Sequence, residues 1–176
     1  MRAHLFHLRD LLRHKWHVFH ACRGMGVPLH RAIMHDWSKF TAAEWTGYVH
    51  TFYHSDGSKR DVRDSTGAYN PAAISEQFDY AWLHHQRNRH HWQAWVVIGD
   101  GGELKPLRIP ETYAREMVAD WIGAGCTYGN RDTRTWYAKN RQNMVLHPVT
   151  ESYLRSLLHE AAERGLIPAY GGVVSE

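Results

Sequence analysis

Apolar side chains return every third or fourth residue along most of this chain, and that period constrains its fold more than any other feature. From Ala3 to Arg23, residues Leu5, Leu8, Leu12, Trp16 and Phe19 fall on one face of a helix. Gly24 and Gly26 end that segment. Pro28 opens a short helix, Leu29 to Asp36, where proline is tolerated. Thr41-Ala42-Ala43-Glu44 is a capping-box pattern that starts a third helix running to about Tyr53. His54 to Asn70 is polar and reads as a surface loop, of the kind that can serve as a lid. Pro71 precedes the longest predicted helix, roughly Ala72 to Val97, and Gly99 to Gly102 then breaks the chain sharply. A further helix is expected from Pro110-Glu111 to about Ile122, then a glycine-rich turn from Gly123 to Asn130. A short helix at Thr133 to Arg141 follows, and a last one, Glu151 to Arg164, is capped by Thr150 and ended by Gly165. Only Trp95 to Ile98 has strand character, too short to outweigh its helical context, and no internal repeat occurs. The expected fold is all-α, a single helical bundle of about seven helices with its core in residues 3–165.

At 176 residues the chain has the size of one domain and can bury roughly 70% of its unfolded surface without disulfides. Its two cysteines, Cys22 and Cys126, form no CxxC, so a reduced, cytoplasmic protein is expected. No stretch approaches the ~20 apolar residues of a membrane span, and His and Arg interrupt the N-terminal apolar residues, so no signal peptide is expected either. The net charge of +3 and pI near 8.9 suit a phosphorylated small molecule and do not indicate nucleic-acid binding. The 15 histidines are scattered rather than run together as a tag, among 8 tryptophans and 9 tyrosines whose polar atoms need partners.

Two clusters carry the chemistry. His35-Asp36-Trp37-Ser38-Lys39 offers an imidazole and a carboxylate that can bridge metal ions, with a lysine one turn on that can hold an anionic oxygen. Asp36 or Ser38 capping a helix end is the alternative for that dipeptide. His84-His85-Gln86-Arg87-Asn88-Arg89-His90-His91 adds four imidazoles. If all lie on one long helix, His84, Asn88 and His91 share one face, while His85 shares another with Ala81 and Trp92. Buried histidines beside aromatics need hydrogen bonds or a metal; otherwise the run is an exposed basic patch with Arg87 and Arg89. On the first helix His14 sits at the edge of the apolar arc and is the better ligand candidate, with His17 the fallback. Glu116 and Asp120 are one turn apart and either line a solvated face or turn inward to a metal or histidine. No P-loop, GxGxxG, GxSxG or HExxH is present.

Taken in order, His14, His35-Asp36, the pairs His84-His85 and His90-His91, and Asp120 resemble the HD-domain superfamily. These are all-α proteins with the pattern H…HD…(H…H)…D. His35-Asp36-x-x-Lys39 is also similar to the variant in HD-GYP phosphodiesterases and inositol oxygenase. Closer still is a resemblance, over residues 10–160, to an uncharacterised family of bacterial and phage proteins. It rests on His14-Lys15-Trp16, on His35-Asp36-x-Ser38-Lys39 followed by Glu44, on Ala81-Trp82-x-His84-His85, on Asn88-x-His90-His91 and on Glu116-Met117-x-x-Asp120. The superfamily resemblance implies a metal-dependent phosphohydrolase acting on a nucleotide or other small phosphorylated compound. It implies one or two divalent transition metal ions (Fe, Mn, Co, Ni or Zn); the two middle histidine pairs, usually well apart, lie here only a turn or two apart. His35, Asp36 and Asp120 would be central ligands, with His14, His84, His85, His90 and His91 completing the shell. Asp36 and Lys39 would be catalytic, and Lys39, Arg87, Asn88 and Arg89 would meet the phosphate. The same ligands suit an HD-type di-iron oxygenase, or a non-catalytic interaction module stabilised by metal.

Overall fold

The computed structural model describes residues 1–63, 70 and 72–169. Residues 64–69 and Pro71, which belong to the predicted loop and the predicted start of the fourth helix, lie outside the described residues. Seven α-helices occur among the described residues: α1 (Arg2–Gly24), α2 (Leu29–Met34), α3 (Ala42–Phe52), α4 (Glu76–Gln86), α5 (Glu111–Tyr128), α6 (Thr133–Asn140) and α7 (Pro148–Glu163). The chain is mainly helical, and no described helix is long and apolar enough to cross a membrane. It divides into two compact units, one of Met1–Arg13 and Asp36–Asn88, the other of His14–His35 and Arg89–Glu176.

In the first unit α3 packs against α4. Tyr48, Phe78 and Ala81 are buried there, with Phe52, Ile74 and Trp82 partly buried against them. A second cluster joins Ala3, Val49 and Tyr53, flanked by Phe6, Trp45 and Phe52. Asp10, buried in this unit, accepts from the Tyr53 hydroxyl at 2.9 Å and pairs with Lys59 at 2.9 Å. In the second unit a larger core gathers Val18, Cys22 and Met25 with Met117, Val118, Ile122, Leu154, Leu157 and Leu158.

Several elements depart from the sequence expectation. The predicted helix Ala72–Val97 is much shorter. It begins at Glu76, where the Ser75 hydroxyl accepts the Phe78 N–H at 3.3 Å, and it ends at Gln86. There the Asn88 side chain donates to the carbonyl of His85 at 2.9 Å, taking an acceptor that helix continuation needs. His90 and His91 therefore lie beyond α4, so the shared helical faces expected for His84 with His91 and for His85 with Trp92 do not exist. A 3-10 turn, Trp92–Trp95, follows and leads into the strand β1 (Val96–Ile98). That strand pairs antiparallel with β2 (Leu104–Pro106) across the Gly99–Gly102 turn, with Val97 opposite Lys105. The short strand signal that looked overruled by its helical context is real because a tight turn supplies it with a partner.

The expected turn at Gly123–Asn130 is mostly helix. α5 continues to Tyr128 and closes at Gly129, whose φ of 86° is the left-handed conformation of a helix C-cap. Gly123 stays helical because the backbone of Val18 lies against it: an added Cβ would sit 2.7 Å from the Val18 nitrogen. The last helix begins at Pro148, earlier than predicted, with the His147 imidazole accepting the Val149 N–H at 3.2 Å. Thr150 is not its cap; the Thr150 hydroxyl accepts the Ile109 N–H at 3.0 Å. Thr41 is no capping box either. Its hydroxyl donates to the Ser38 carbonyl at 2.7 Å, and Glu44 turns inward.

The first helix is amphipathic, but its buried stripe is not the predicted one. Ala3, His7, Asp10, His14, Val18 and Ala21 are buried, whereas Leu5, Leu12 and Trp16 are exposed. The inward residues recur at helical spacing with polar side chains among them, so an apolar wheel points to the wrong face.

Candidate metal centre

In the second unit, α1, α2 and α5 each contribute to one buried polar group. His14 projects from the inward stripe of α1 and is 5% exposed. His35, 2% exposed, follows the last turn of α2, and its N–H caps that helix by donating to the Arg31 carbonyl at 2.8 Å. Lys15 fixes this corner further, donating to the carbonyls of Ile33 (3.1 Å) and His35. Glu116 and Asp120 lie one turn apart on α5; Glu116 is buried and the Asp120 side chain is 15% exposed, so neither lines a fully solvated surface.

Asp120 Oδ1 is 3.2 Å from His14 Nε2 and 3.3 Å from His35 Nε2. His35 turns its other nitrogen to Glu116: Nδ1 lies 3.1 Å from Oε1. His90 Nδ1 approaches the same oxygen at 3.4 Å, and the His35 and His90 rings are 4.3 Å apart. The other Glu116 oxygen takes the Arg31 guanidinium, at 2.7 Å from Nε and 2.5 Å from Nη2. Burial pushes the Asp120 carboxyl up, but the neighbouring His14 and His35 outweigh it and hold the carboxyl well below its ordinary range. Glu116 behaves likewise: burial raises it, and His35, His90 and Arg31 together hold it low. Arg31 also stacks on the Tyr113 ring at 4.1 Å, and Arg89 donates to the Tyr113 hydroxyl at 3.1 Å. His91 lies beside His90, with ring centroids 4.4 Å apart.

The donor set suits a divalent transition metal. Ligand atoms around an ion with bonds of about 2.0–2.2 Å lie about 3.0–3.5 Å from one another in octahedral or tetrahedral shells. The His14–Asp120 and His35–Asp120 separations fall in that window. One atom each from His14, His35 and Asp120 falls within 4.8 Å of the others, as does one each from His35, His90 and Glu116. These buried histidine and acidic clusters are compatible with metal binding.

In the first unit a parallel arrangement is built from the 3-10 turn Trp37–Phe40, α3 and α4. Asp36 adopts φ 57° and ψ 20°, the only left-handed non-glycine among the described residues. His35-Asp36 is therefore not a pair on one helix, as the sequence suggested; the chain turns between the two residues. Lys39 Nζ bonds Asp36 Oδ2 at 2.6 Å. His85 Nε2 is 3.7 Å from Asp36 Oδ1, and His85 Nδ1 is 3.0 Å from Glu44 Oε2. His84 Nδ1 lies 2.7 Å from the other Glu44 oxygen. Glu44 is fully buried, yet its carboxyl is held below the ordinary value, since burial is outweighed by His85, with Ser38 and His84 adding to the effect. Asn88 donates to Ser38 Oγ at 3.0 Å, and Arg87 is the exposed C-cap of α4.

Glu44 and Glu116 are the site residues that sequence reasoning undervalued. The first looked like a helix cap, and the second was balanced against a solvated face. A fuller signal was present: each glutamate sits at helical spacing from other inward positions, Glu44 from Tyr48 and Glu116 from Asp120.

No match was found among curated proteins or among solved structures. One family model matches residues 3–160, nine-tenths of the chain, and the protein accordingly belongs to that family, a family of unknown function (DUF5662).

Proposed function

We propose that this protein is a metal-dependent phosphohydrolase of the HD type, acting on a nucleotide or another small phosphorylated compound. The observation that carries the reading is the partly buried Asp120 carboxylate flanked at 3.2 and 3.3 Å by the Nε2 atoms of His14 and His35. These three residues would hold the ion. A bound divalent ion supplies Lewis acidity and lowers the pKa of water toward ~7. Asp120, whose carboxyl is held well below its ordinary range, adds the negative charge that helps retain a cation there. Arg31 reaches this group through Glu116, and Arg89 shares Tyr113 with it, so two guanidinium groups accompany the carboxylates. Guanidinium geometry matches phosphate oxygens, and phosphoryl transfer depends on such electrostatic stabilisation.

The test is elemental analysis of protein purified without added metal, followed by a nucleotide and phosphoester panel with Mn, Fe, Co, Ni and Mg. Bound metal and phosphate release are expected, with Asp120→Asn lowering both, the rate by about 100-fold or more. A wild-type protein of normal stability that takes up no metal under any condition overturns the reading. A coloured protein holding two irons and inactive on every phosphoester replaces it with the oxygenase.

A further inference from the structure

Glu44 and Glu116 each do the same thing to a pair of histidines. Glu116 Oε1 faces Nδ1 of His35 at 3.1 Å and Nδ1 of His90 at 3.4 Å. Glu44 divides its oxygens, Oε2 to Nδ1 of His85 at 3.0 Å and Oε1 to Nδ1 of His84 at 2.7 Å. In every case the imidazole meets the glutamate through Nδ1. For the two deeply buried rings, Nε2 then faces an aspartate: Asp120 for His35 at 3.3 Å, Asp36 for His85 at 3.7 Å.

We propose that Glu116 is a positioning residue, which holds the proton of His35 on Nδ1 and so dedicates Nε2 to metal coordination. A carboxylate has about four lone-pair directions. At Glu116 all four are engaged, two by imidazoles and two by the Nε and Nη2 of Arg31. Binding an ion directly would cost this carboxylate donors it already holds in a buried place, where an abandoned donor is expensive. Glu116 thus belongs behind the ligands, although its distances alone would admit it to the coordination shell. An imidazole ligand whose other nitrogen donates to a carboxylate is fixed in tautomer and ring orientation and is a more basic ligand. The arrangement also answers the buried Glu116 carboxylate, which faces His35 Nδ1 on one oxygen and the Arg31 guanidinium on the other.

The metal consequence rests on the reading of His14, His35 and Asp120 as ligands; the proton position does not. Nitrogen-15 NMR of the metal-free wild-type protein at pH 8.5 reads that position. Protonated Nδ1 is expected for His35, and a bare Nδ1 on that ring overturns the proposal. Cobalt(II) titration then compares wild type with Glu116→Gln and Glu116→Ala. Loss of the positioning carboxylate is expected to weaken cobalt binding about 10–100-fold while leaving the visible spectrum of the saturated complex unchanged. A changed spectrum at saturation would make Glu116 a ligand, and unchanged affinity would make it a structural residue only; either result overturns the proposal. If Nδ1 is protonated but wild type binds no cobalt, the proton assignment stands while its metal consequence and the phosphohydrolase reading fail. If cobalt binds and Nδ1 is bare, the proposal fails and the metal site behind the phosphohydrolase reading survives.

Discussion

His7 is the residue whose surroundings work hardest against its charge. It is buried, it stands edge-on to Trp45 at 4.7 Å, and burial together with the Lys39 charge pulls its pKa from 6.5 down to about 4. The unfolded chain therefore binds a proton at His7 that the folded chain refuses between pH 6.5 and about 4. Stability is full above that window and falls as pH drops through it. At pH 5 the loss attributable to this one ring is about 2 kcal/mol. Urea unfolding of metal-free protein at pH 7 and pH 5 should show that difference shrinking by about this amount in His7→Leu. Asp36 allows a second expectation. Its left-handed backbone is accessible to Asn and Gly but costs other L-residues about 1 kcal/mol or more. Asp36→Ala should be less stable than Asp36→Asn by about that margin, beyond any effect of the missing carboxylate. Thermal unfolding of the two variants checks it. At this scale the burial of His14 was legible, because it sits at the edge of the apolar arc of its helix, whereas the sequence left Asp120 open together with Glu116. His7 and Asp10 were not legible, since a hydrophobic wheel counts them as solvent-facing, and their inward burial depends on partners such as Tyr53, Lys59 and Trp45 far along the chain.

Among the elements, the helices with strong period and clean ends were readable to within a few residues: α1, α3, α6 and the start of α5. Their boundaries are set by local chemistry, such as Asp132 accepting the Thr135 N–H at 3.1 Å at the start of α6. The errors fall where a tertiary contact overrides that chemistry. Gly123 and Gly125 suggested a turn, but α5 needs a small residue where Val18 comes close, and Gly123 supplies it inside the helix. Gly123→Ala should consequently destabilise the second unit rather than strengthen its helix. Propensity favours alanine by about 1 kcal/mol, while forcing a methyl against the Val18 backbone costs about 1–3 kcal/mol or more, so the net effect is a loss. A lower denaturation midpoint with unchanged slope is the expected result in urea. Helix α4 illustrates the opposite failure. Trp92 and Trp95 extended its apparent period past Asn88, yet the Asn88 side chain ends the helix by local hydrogen bonding.

For the molecule as a whole, stability is the property in which metal binding would be read. An ion that binds only the folded state adds about 2.7 kcal/mol when present at 100 times its dissociation constant. Adding cobalt(II) or zinc(II) should raise the unfolding temperature of the wild-type protein, a chelator should reverse the shift, and Asp120→Asn should respond to neither. The mainly helical class was legible because it follows from period alone. The division into two units was not, since each unit is assembled from two separated stretches of chain. That interleaving gives synthesis an order. Every residue of the first unit has been made once Asn88 is added, and domains tend to fold as they emerge. The first apolar residues of the second unit, Val18, Cys22 and Met25, have by then been waiting without the partners that finally bury them. Met117, Ile122, Leu154 and Leu157 are still to be translated. The nascent protein passes through a stage in which one unit is complete and the other displays an unfinished apolar face, and that is the interval in which a chaperone would find it.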